Sequence, residues 1–375
     1  MNNFNKFAKY YKIIGANLYG KYPYKLGLNT LADNGEIFDE TPTCGPGGLY
    51  FCDIKHIFKY IYHGDKICVL NIPDNAQVIE VEDKYKADQI YIDKIMEINY
   101  DTIKYLVDNG ADITVAYSFP RIYGIGSGCD TISKYNHILF RASENGHLEI
   151  IKYLVEHKDG ITKGKNDGIR SASEYGHFEI VKYLVEHGGD VTAFDNSAIS
   201  LAVSNGHLKI VKYLIEHGAD VVHPVNNNNH MICSAACKGY LEIVKLLAEH
   251  GADITAYDNE AICDAAKNGH LKIVKYLAEH GADVTAKYNS AINWAAWYGH
   301  LEIVKCLTEY GARTKFAINN AACGGHLEVV KYLAEYGVWS DDAILCASDY
   351  NYPEIVNYLS KYEANYITEN NCTIL

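Results

Sequence analysis

Two residue types in this chain invite a chemical reading. There are 16 histidines and 11 cysteines, the side chains from which metal centres and nucleophilic sites are built. Their spacing argues against both. Six histidines (His147, His177, His207, His270, His300 and His326) each follow a glycine, and five (His157, His187, His217, His250 and His280) each end an apolar phrase. A metal centre gathers its ligands at one point, whereas a regular column spreads them along the molecule. The first column suits a hydrogen bond around a tight corner, and the second suits a helix C-terminus. The cysteines form no CxxC pair, and several, such as Cys237 and Cys323, fall in small-residue slots. Their odd number and scatter read as reduced thiols rather than a disulfide framework. The loop Gly124-Ile125-Gly126-Ser127-Gly128 has the glycines of a phosphate cradle. It lacks the lysine and the strand-to-helix setting such a cradle needs and reads as a linker. No catalytic residue, metal or cofactor is assigned, and the chain is expected not to be an enzyme.

The elements that set these columns repeat. Gly146-His147-Leu148-Glu149-Ile150-Ile151-Lys152-Tyr153-Leu154 returns at Gly176, Gly206, Gly239, Gly269, Gly299 and Gly325, at spacings of 30, 30, 33, 30, 30 and 26. A worn copy begins at Tyr352, and an outlying one runs from Ile103 to Asp112. That makes nine copies between about residues 95 and 366. In one copy Leu208, Val211, Leu214 and Ile215 recur at threes and fours and build one apolar helix face. Lys209, Lys212 and Glu216 take the other side, and Gly218 stops the helix as a left-handed cap. A shorter helix precedes it, Ser197 to Asn205, with Ala198, Ile199 and Ala202 inward and Gly206 at the corner. Each helix pair needs neighbours to bury its faces.

The phrase Ala266 to Asp283 matches A-x-x-G-H-L-E-I-V-K-x-L-x-E-H-G-A-D almost whole, and on it the chain resembles the ankyrin repeat. The resemblance implies a mainly α solenoid of about nine helix pairs with loops along one edge, used for binding other proteins. The family's T-P-L-H entry is absent, replaced by Asn196-Ser197-Ala198-Ile199-Ser200 and Asn289-Ser290-Ala291-Ile292-Asn293. The residues missing from the usual period of 33 come from the turn after Asp283, so the projecting hairpins are expected to be clipped. Short repeats rich in Asn and Tyr resemble the ankyrin proteins of giant amoeba-infecting viruses.

Residues that break the repeat are the candidates for binding. Five before each corner glycine, a column read as exposed and concave runs Arg141, Ser171, Leu201, Ser234, Asp264, Trp294, Asn320 and Cys346. A second column, two before the glycine, runs Glu144, Glu174, Ser204, Cys237, Lys267, Trp297, Cys323 and Asp349. Arg141, Leu201, Asp264, Trp294 and Trp297 are the candidate partner contacts. The two tryptophans share a helix face and either anchor a partner or fill the space left by a clipped hairpin. The asparagine run from Asn226 to Asn229 reads as a turn tip.

Residues 1–92 carry no repeat and read as a small α+β module, followed by the array at 93–366, with an insertion near 115–133, and a tail at 367–375. Strands are expected at Leu49–Cys52, Lys66–Ile72, Gln77–Val81 and Gln89–Ile92, with a helix near Asp53–Tyr62. The stretch Gly47-Gly48-Leu49-Tyr50-Phe51-Cys52-Asp53, with the helix and strand after it, resembles the middle of an ADP-ribosyltransferase domain, in which Tyr50 would match the family's tyrosine. The histidine phrase of that family is replaced by Gly27-Leu28-Asn29-Thr30, and its glutamate position by Lys86-Ala87-Asp88-Gln89. An inactive relative, or a cap over the apolar end of the array, are the two readings of the module.

The formal net charge of −13 argues against a nucleic-acid binder. The polar start and the shortness of every apolar run argue against a signal peptide or membrane span. The 32 tyrosines outnumber the phenylalanines threefold. Seven of them (Tyr105, Tyr153, Tyr183, Tyr213, Tyr276, Tyr332 and Tyr358) share one slot of the second helix, where the hydroxyl is expected to reach water. The scattered cysteines, the polar start and the lack of a long apolar run predict an intracellular protein, and the resemblance to giant-virus ankyrin proteins implies the cytoplasm of an infected host cell. It is expected to be a monomer that binds a host or viral protein and to touch neither nucleic acid nor membrane. The alternatives are a substrate-recruiting adaptor for a host ubiquitin ligase, for whose usual C-terminal helix set the sequence leaves no room, and the transferase-like module.

Overall fold

The structure is a computed structural model. It describes residues 5, 8–14, 24–34, 37–39, 41, 47–64, 66–112, 134–157, 162–222 and 229–371. The linker glycines 124–128 and residues 226–228 of the asparagine run lie outside the described residues. The chain divides into two compact units, Met1–Ala193 and Phe194–Leu375, so the module at 1–92 shares its unit with the first repeats.

In the first unit seven strands form two antiparallel sheets. One has the order β1 (Tyr10–Ile14), β4 (Lys66–Asn71), β7 (Gln89–Glu97), β2 (Gly27–Thr30), and the other the order β3 (Leu49–Phe51), β6 (Lys84–Ala87), β5 (Val78–Val81). A bridge between Tyr11 and Cys52 links them. Their shared core includes Leu49, Cys68, Leu70, Ile90 and Ile92. Three rings pack in it: Tyr10 meets Phe51 at 5.1 Å and Tyr85 at 5.3 Å, both edge-on, and Phe51 stacks on Tyr85. The expected helix near Asp53 is a 3-10 helix, Ile54–His63, whose first turn is closed by Asp53 Oδ1 accepting from the His56 N–H.

Sequence reasoning missed β1, β2 and β6. Strand β6 hides because it alternates lysine with apolar residues. Lys86 is nonetheless fully buried, with its Nζ donating to Thr41 O at 2.8 Å. It lies where a Cβ on Gly48 would overlap its side chain. The strand read at Gln89–Ile92 runs on to Glu97, and helix α1 (Tyr100–Asp108) follows at once, capped by Asn99. A strand thus stands where the first copy would have its first helix. The unit ends with the pairs α2 (Lys134–Glu144) with α3 (Leu148–His157), and α4 (Thr162–Tyr175) with α5 (Phe178–Glu186). Helices α2 and α4 pack side by side, as do α1 with α3 and α3 with α5.

The second unit continues the pattern with six pairs: α6 (Ala193–Ser204) and α7 (Leu208–Glu216), α8 (Asn229–Cys237) and α9 (Leu241–Glu249), α10 (Ala256–Lys267) and α11 (Leu271–Glu279), α12 (Ala286–Trp297) and α13 (Leu301–Glu309), α14 (Lys315–Gly324) and α15 (Leu327–Glu335), and α16 (Asp342–Asp349) and α17 (Pro353–Asn371). Successive first helices from α8 to α16 pack in one layer, and successive second helices from α7 to α17 in another. Alanines at the first-helix contacts, such as Ala265, Ala266, Ala295 and Ala296, are fully buried and allow close approach. Helix α17 carries through Asn371, into residues read as a tail.

The clipped hairpins have a specific geometry. Three consecutive non-glycine residues are left-handed at the start of α6 (Phe194, Asp195, Asn196), of α10 (Tyr257, Asp258, Asn259) and of α12 (Lys287, Tyr288, Asn289). Asparagine and aspartate tolerate this region; aromatic residues and lysine rarely enter it. The turn is tied down from the next repeat. The Oδ1 of Asn196 accepts from the Asp220 N–H at 2.9 Å and that of Asn259 from Asp283 at 2.8 Å. Asn289 binds Arg313 in the same way at 3.3 Å, and in the first unit Asn166 binds Asp190 at 2.9 Å. The aspartate that closes each repeat folds a second turn: Asp253 and Asp283 each accept from the N–H and the hydroxyl of a threonine two residues on. In the repeat of 26 even the left-handed turn is gone, and Thr314 caps α14 directly through the Phe316 N–H.

Candidate functional site

The histidine columns are structural. His177, His270, His300 and His326 donate Nε2–H to the carbonyls of Glu144, Cys237, Lys267 and Trp297, at 2.9–3.1 Å, so each corner is tied to the preceding repeat. The ring fills the space beside the preceding corner glycine. At Gly239, whose φ is +82°, an added Cβ would lie 2.7 Å from the His270 ring. The second column donates Nδ1–H to the carbonyl four residues back, as in His217 to Tyr213 at 2.8 Å. It also stacks on that tyrosine, with centroids 3.9 Å apart for Tyr213 and His217 and 4.0 Å for Tyr276 and His280. The tyrosine slot is therefore not simply water-facing. The Tyr183 hydroxyl is buried without a partner, and that of Tyr332 meets Thr308 Oγ1 at 2.6 Å.

The column five before the corner was expected to be exposed, and mostly it is not. Ser171 is buried, and Arg141, Leu201, Ser234, Asp264, Asn320 and Cys346 are half-buried. Trp294 is the exception in the column, at 41% exposure. Its helix-mate Trp297 is half-buried, with its carbonyl holding His326. The cause of the burial is a stagger between repeats. The residue two before one corner reaches the residue five before the next: Ser204 Oγ lies 3.4 Å from Ser234 Oγ, and Lys267 Nζ sits 5.0 Å above the Trp294 ring. Within this row Arg141 binds Glu144 at 2.6 Å, and outside it Lys287 binds Glu260. Desolvation, and then the nearby Glu260 carboxylate, raise the Asp264 carboxyl. Trp294 emerges from a mostly half-buried row and stacks on Tyr298, itself exposed.

Exposed aromatics outside these columns were missed. Phe194, Tyr257, Tyr288 and Phe316 are all exposed at the turns that open their helices. Their signal is the phrase of an aromatic beside aspartate and asparagine, as in Phe194-Asp195-Asn196 and Tyr257-Asp258-Asn259, ahead of the small-residue helix.

The transferase-like residues of the first unit do not converge. Gly27–Thr30 lies in β2 of the four-stranded sheet, whereas Tyr50 lies in β3 of the other. Lys86, in the stretch read against that family's glutamate, stands opposite Tyr50 in register and is buried. Lys84 Nζ covers the Tyr50 ring at 5.0 Å. A cleft of about 490 Å³ lies elsewhere, lined by Lys9, Val69, Asp93, Lys94, Met96, Asp101, Thr102 and Tyr105. Its two ammonium and two carboxylate groups offset each other and give it no charge preference. Among the described residues no group of three or more histidines, cysteines and carboxylates could hold a metal. Burial pushes the Cys233, Cys263 and Cys323 thiols up to about 12, away from the thiolate form a nucleophile needs. No helix among the described residues is long and apolar enough to cross a membrane.

This geometry of paired helices, glycine corners and tied turns has a counterpart. The family model for ankyrin repeats (three copies) matches residues 96–195, 172–258, 257–316 and 292–370. The chain belongs to the ankyrin-repeat family. Its relatives include three proteins of Acanthamoeba polyphaga mimivirus. "Uncharacterized protein R869" is 34% identical over 113 residues, covering 28% of this chain and 80% of that protein. "Putative ankyrin repeat protein R868" is 30% identical, covering 38% and 64%. "Putative ankyrin repeat protein L72" is 29% identical, covering 46% and 40%. Among solved structures, the human ASB11 ankyrin repeat domain aligns with a TM-score of 0.42 at 24% identity, over 47% of this chain and 84% of that one. Ankyrin repeats are in general protein-interaction modules.

Proposed function

We propose that the chain is a non-enzymatic scaffold that holds another protein, of host or viral origin, against the first-helix face of its second unit. The observation that carries this reading is Trp294. In a row where most side chains are half-buried, this large apolar ring stays exposed, with Tyr298 stacked on it and Lys267 above it. An exposed tryptophan among half-buried neighbours has the make-up of an interface anchor. Trp297, Asp264 and Leu201 lie along the same face and would shape the contact rather than drive it. Arg141, in the first unit and bound to Glu144, is a weaker candidate. The mimivirus relatives favour an infected amoeba as the setting, and the cytoplasm as the compartment.

The test is affinity purification from an amoeba lysate with the full chain and with the double variant Trp294→Ala, Trp297→Ala, checked for unchanged helicity. A partner lost at least tenfold from the variant supports the reading, since an anchor tryptophan contributes about 2 kcal/mol or more. A partner retained in full overturns it.

A further inference from the structure

The stagger brings Ser204 against Ser234 between α6 and α8, and Lys267 over Trp294 between α10 and α12. At the last junction, between α14 and α16, its two positions are both cysteine: Cys323, two before its corner, and Cys346, five before the next. The two helices pack directly on each other, and at the α6–α8 junction the same two positions, Ser204 and Ser234, bring their side-chain oxygens within 3.4 Å. Both are half-buried, whereas Cys233, Cys263 and Cys306 are buried. Cys233 and Cys263 also stand at equivalent positions of neighbouring repeats, but lie on the buried side of their helices. We propose that Cys323 and Cys346 form an oxidisable dithiol whose disulfide staples the last two repeats together.

The reaction is thiol–disulfide exchange with a small organic disulfide. The Cys346 sulfur, on losing its proton, attacks one sulfur of the reagent, forms a mixed disulfide and expels one small thiolate. The Cys323 sulfur then loses its proton and attacks the protein-side sulfur of that mixed disulfide. The Cys323–Cys346 bond forms, and the second small thiolate leaves. Two protein thiols are oxidised, the reagent is reduced to two thiols, and the two protons go to the leaving groups. Burial holds the Cys323 proton, so the exchange runs over hours rather than minutes.

Incubating the native full chain with oxidised glutathione, alkylating the remaining thiols and mapping peptides by mass spectrometry tests the proposal. The expected result is one linked peptide pair containing Cys323 and Cys346, both lost from the alkylated set. Cys323→Ser should stop the reaction at glutathione on Cys346, and Cys233→Ser should leave the link intact. Both thiols recovered alkylated, stable glutathione adducts on both, or a link from either to another cysteine would each overturn it. The wild-type arm decides by itself, whatever the variants do to folding.

Discussion

Asn259 shows how much one side chain can carry in a short repeat. It is left-handed at φ 61°, it is buried, and its Oδ1 holds the Asp283 N–H of the following repeat. Asn259→Ala removes that acceptor and places a Cβ residue with no local hydrogen bond in the left-handed region. The unpaired amide and the backbone strain together should cost about 2–3 kcal/mol, read as a lowered midpoint in urea. Asn259→Gly loses only the hydrogen bond and should cost less than the alanine variant. Equal costs would mean that the left-handed turn is not the source of strain. None of this is visible from one residue's type. Asparagine after aspartate reads simply as turn, and its partner is 24 positions away.

At the scale of the element, the left-handed turn replaces the hairpin. Its middle residue in α12 is Tyr288, which is 91% exposed with φ 58°. Substitutions at a position so exposed are ordinarily neutral, so any cost reports backbone conformation. Tyr288→Val puts a β-branched residue where it is least tolerated and should lower stability by about 1 kcal/mol. Tyr288→Gly should not lower it, because relief of strain offsets the greater freedom glycine gains on unfolding. Calorimetry of the three proteins checks the order; a valine variant as stable as wild type would argue for a different turn. The second helices were the legible elements. Leu208, Val211 and Leu214 stand at helical spacing, and the helix found is Leu208–Glu216, but its buried face is Ile210, Val211 and Leu214, with Leu208 exposed and Ile215 half-buried. The strands β1, β2 and β6 were not, because Lys12 interrupts β1, Lys84 and Lys86 alternate through β6, and β2 (Gly27–Thr30) carries a single apolar side chain, Leu28. Lys12 Nζ donates to Tyr50 O at 2.8 Å, and desolvation lowers that ammonium to about 8.

For the whole molecule, stability resides in contacts between neighbours. A chain ending at Gly337, without α16 and α17, should keep α6 to α15 folded, with helicity per residue close to wild type by circular dichroism. Its new end would uncover the Ala321, Ala322 and Leu333 faces and should self-associate in sedimentation. Loss of all helical signal would instead mean one all-or-none core.

The sequence by itself determined the repeat, the helical phrase, the corner glycines and the structural character of the histidine columns. Each follows from local backbone preference and from the 3.6-residue period, which act within one repeat. Tertiary structure decided what those residues touch. It turned the corner histidines toward the preceding repeat, set the asparagines on the next, left most of a row that looked exposed half-buried, and left Trp294 uncovered. It also packed the helices that carry Cys323 and Cys346 against each other. Those outcomes depend on the stagger between stacked helix pairs, a distance set by packing across repeats and not written at any one position of the chain.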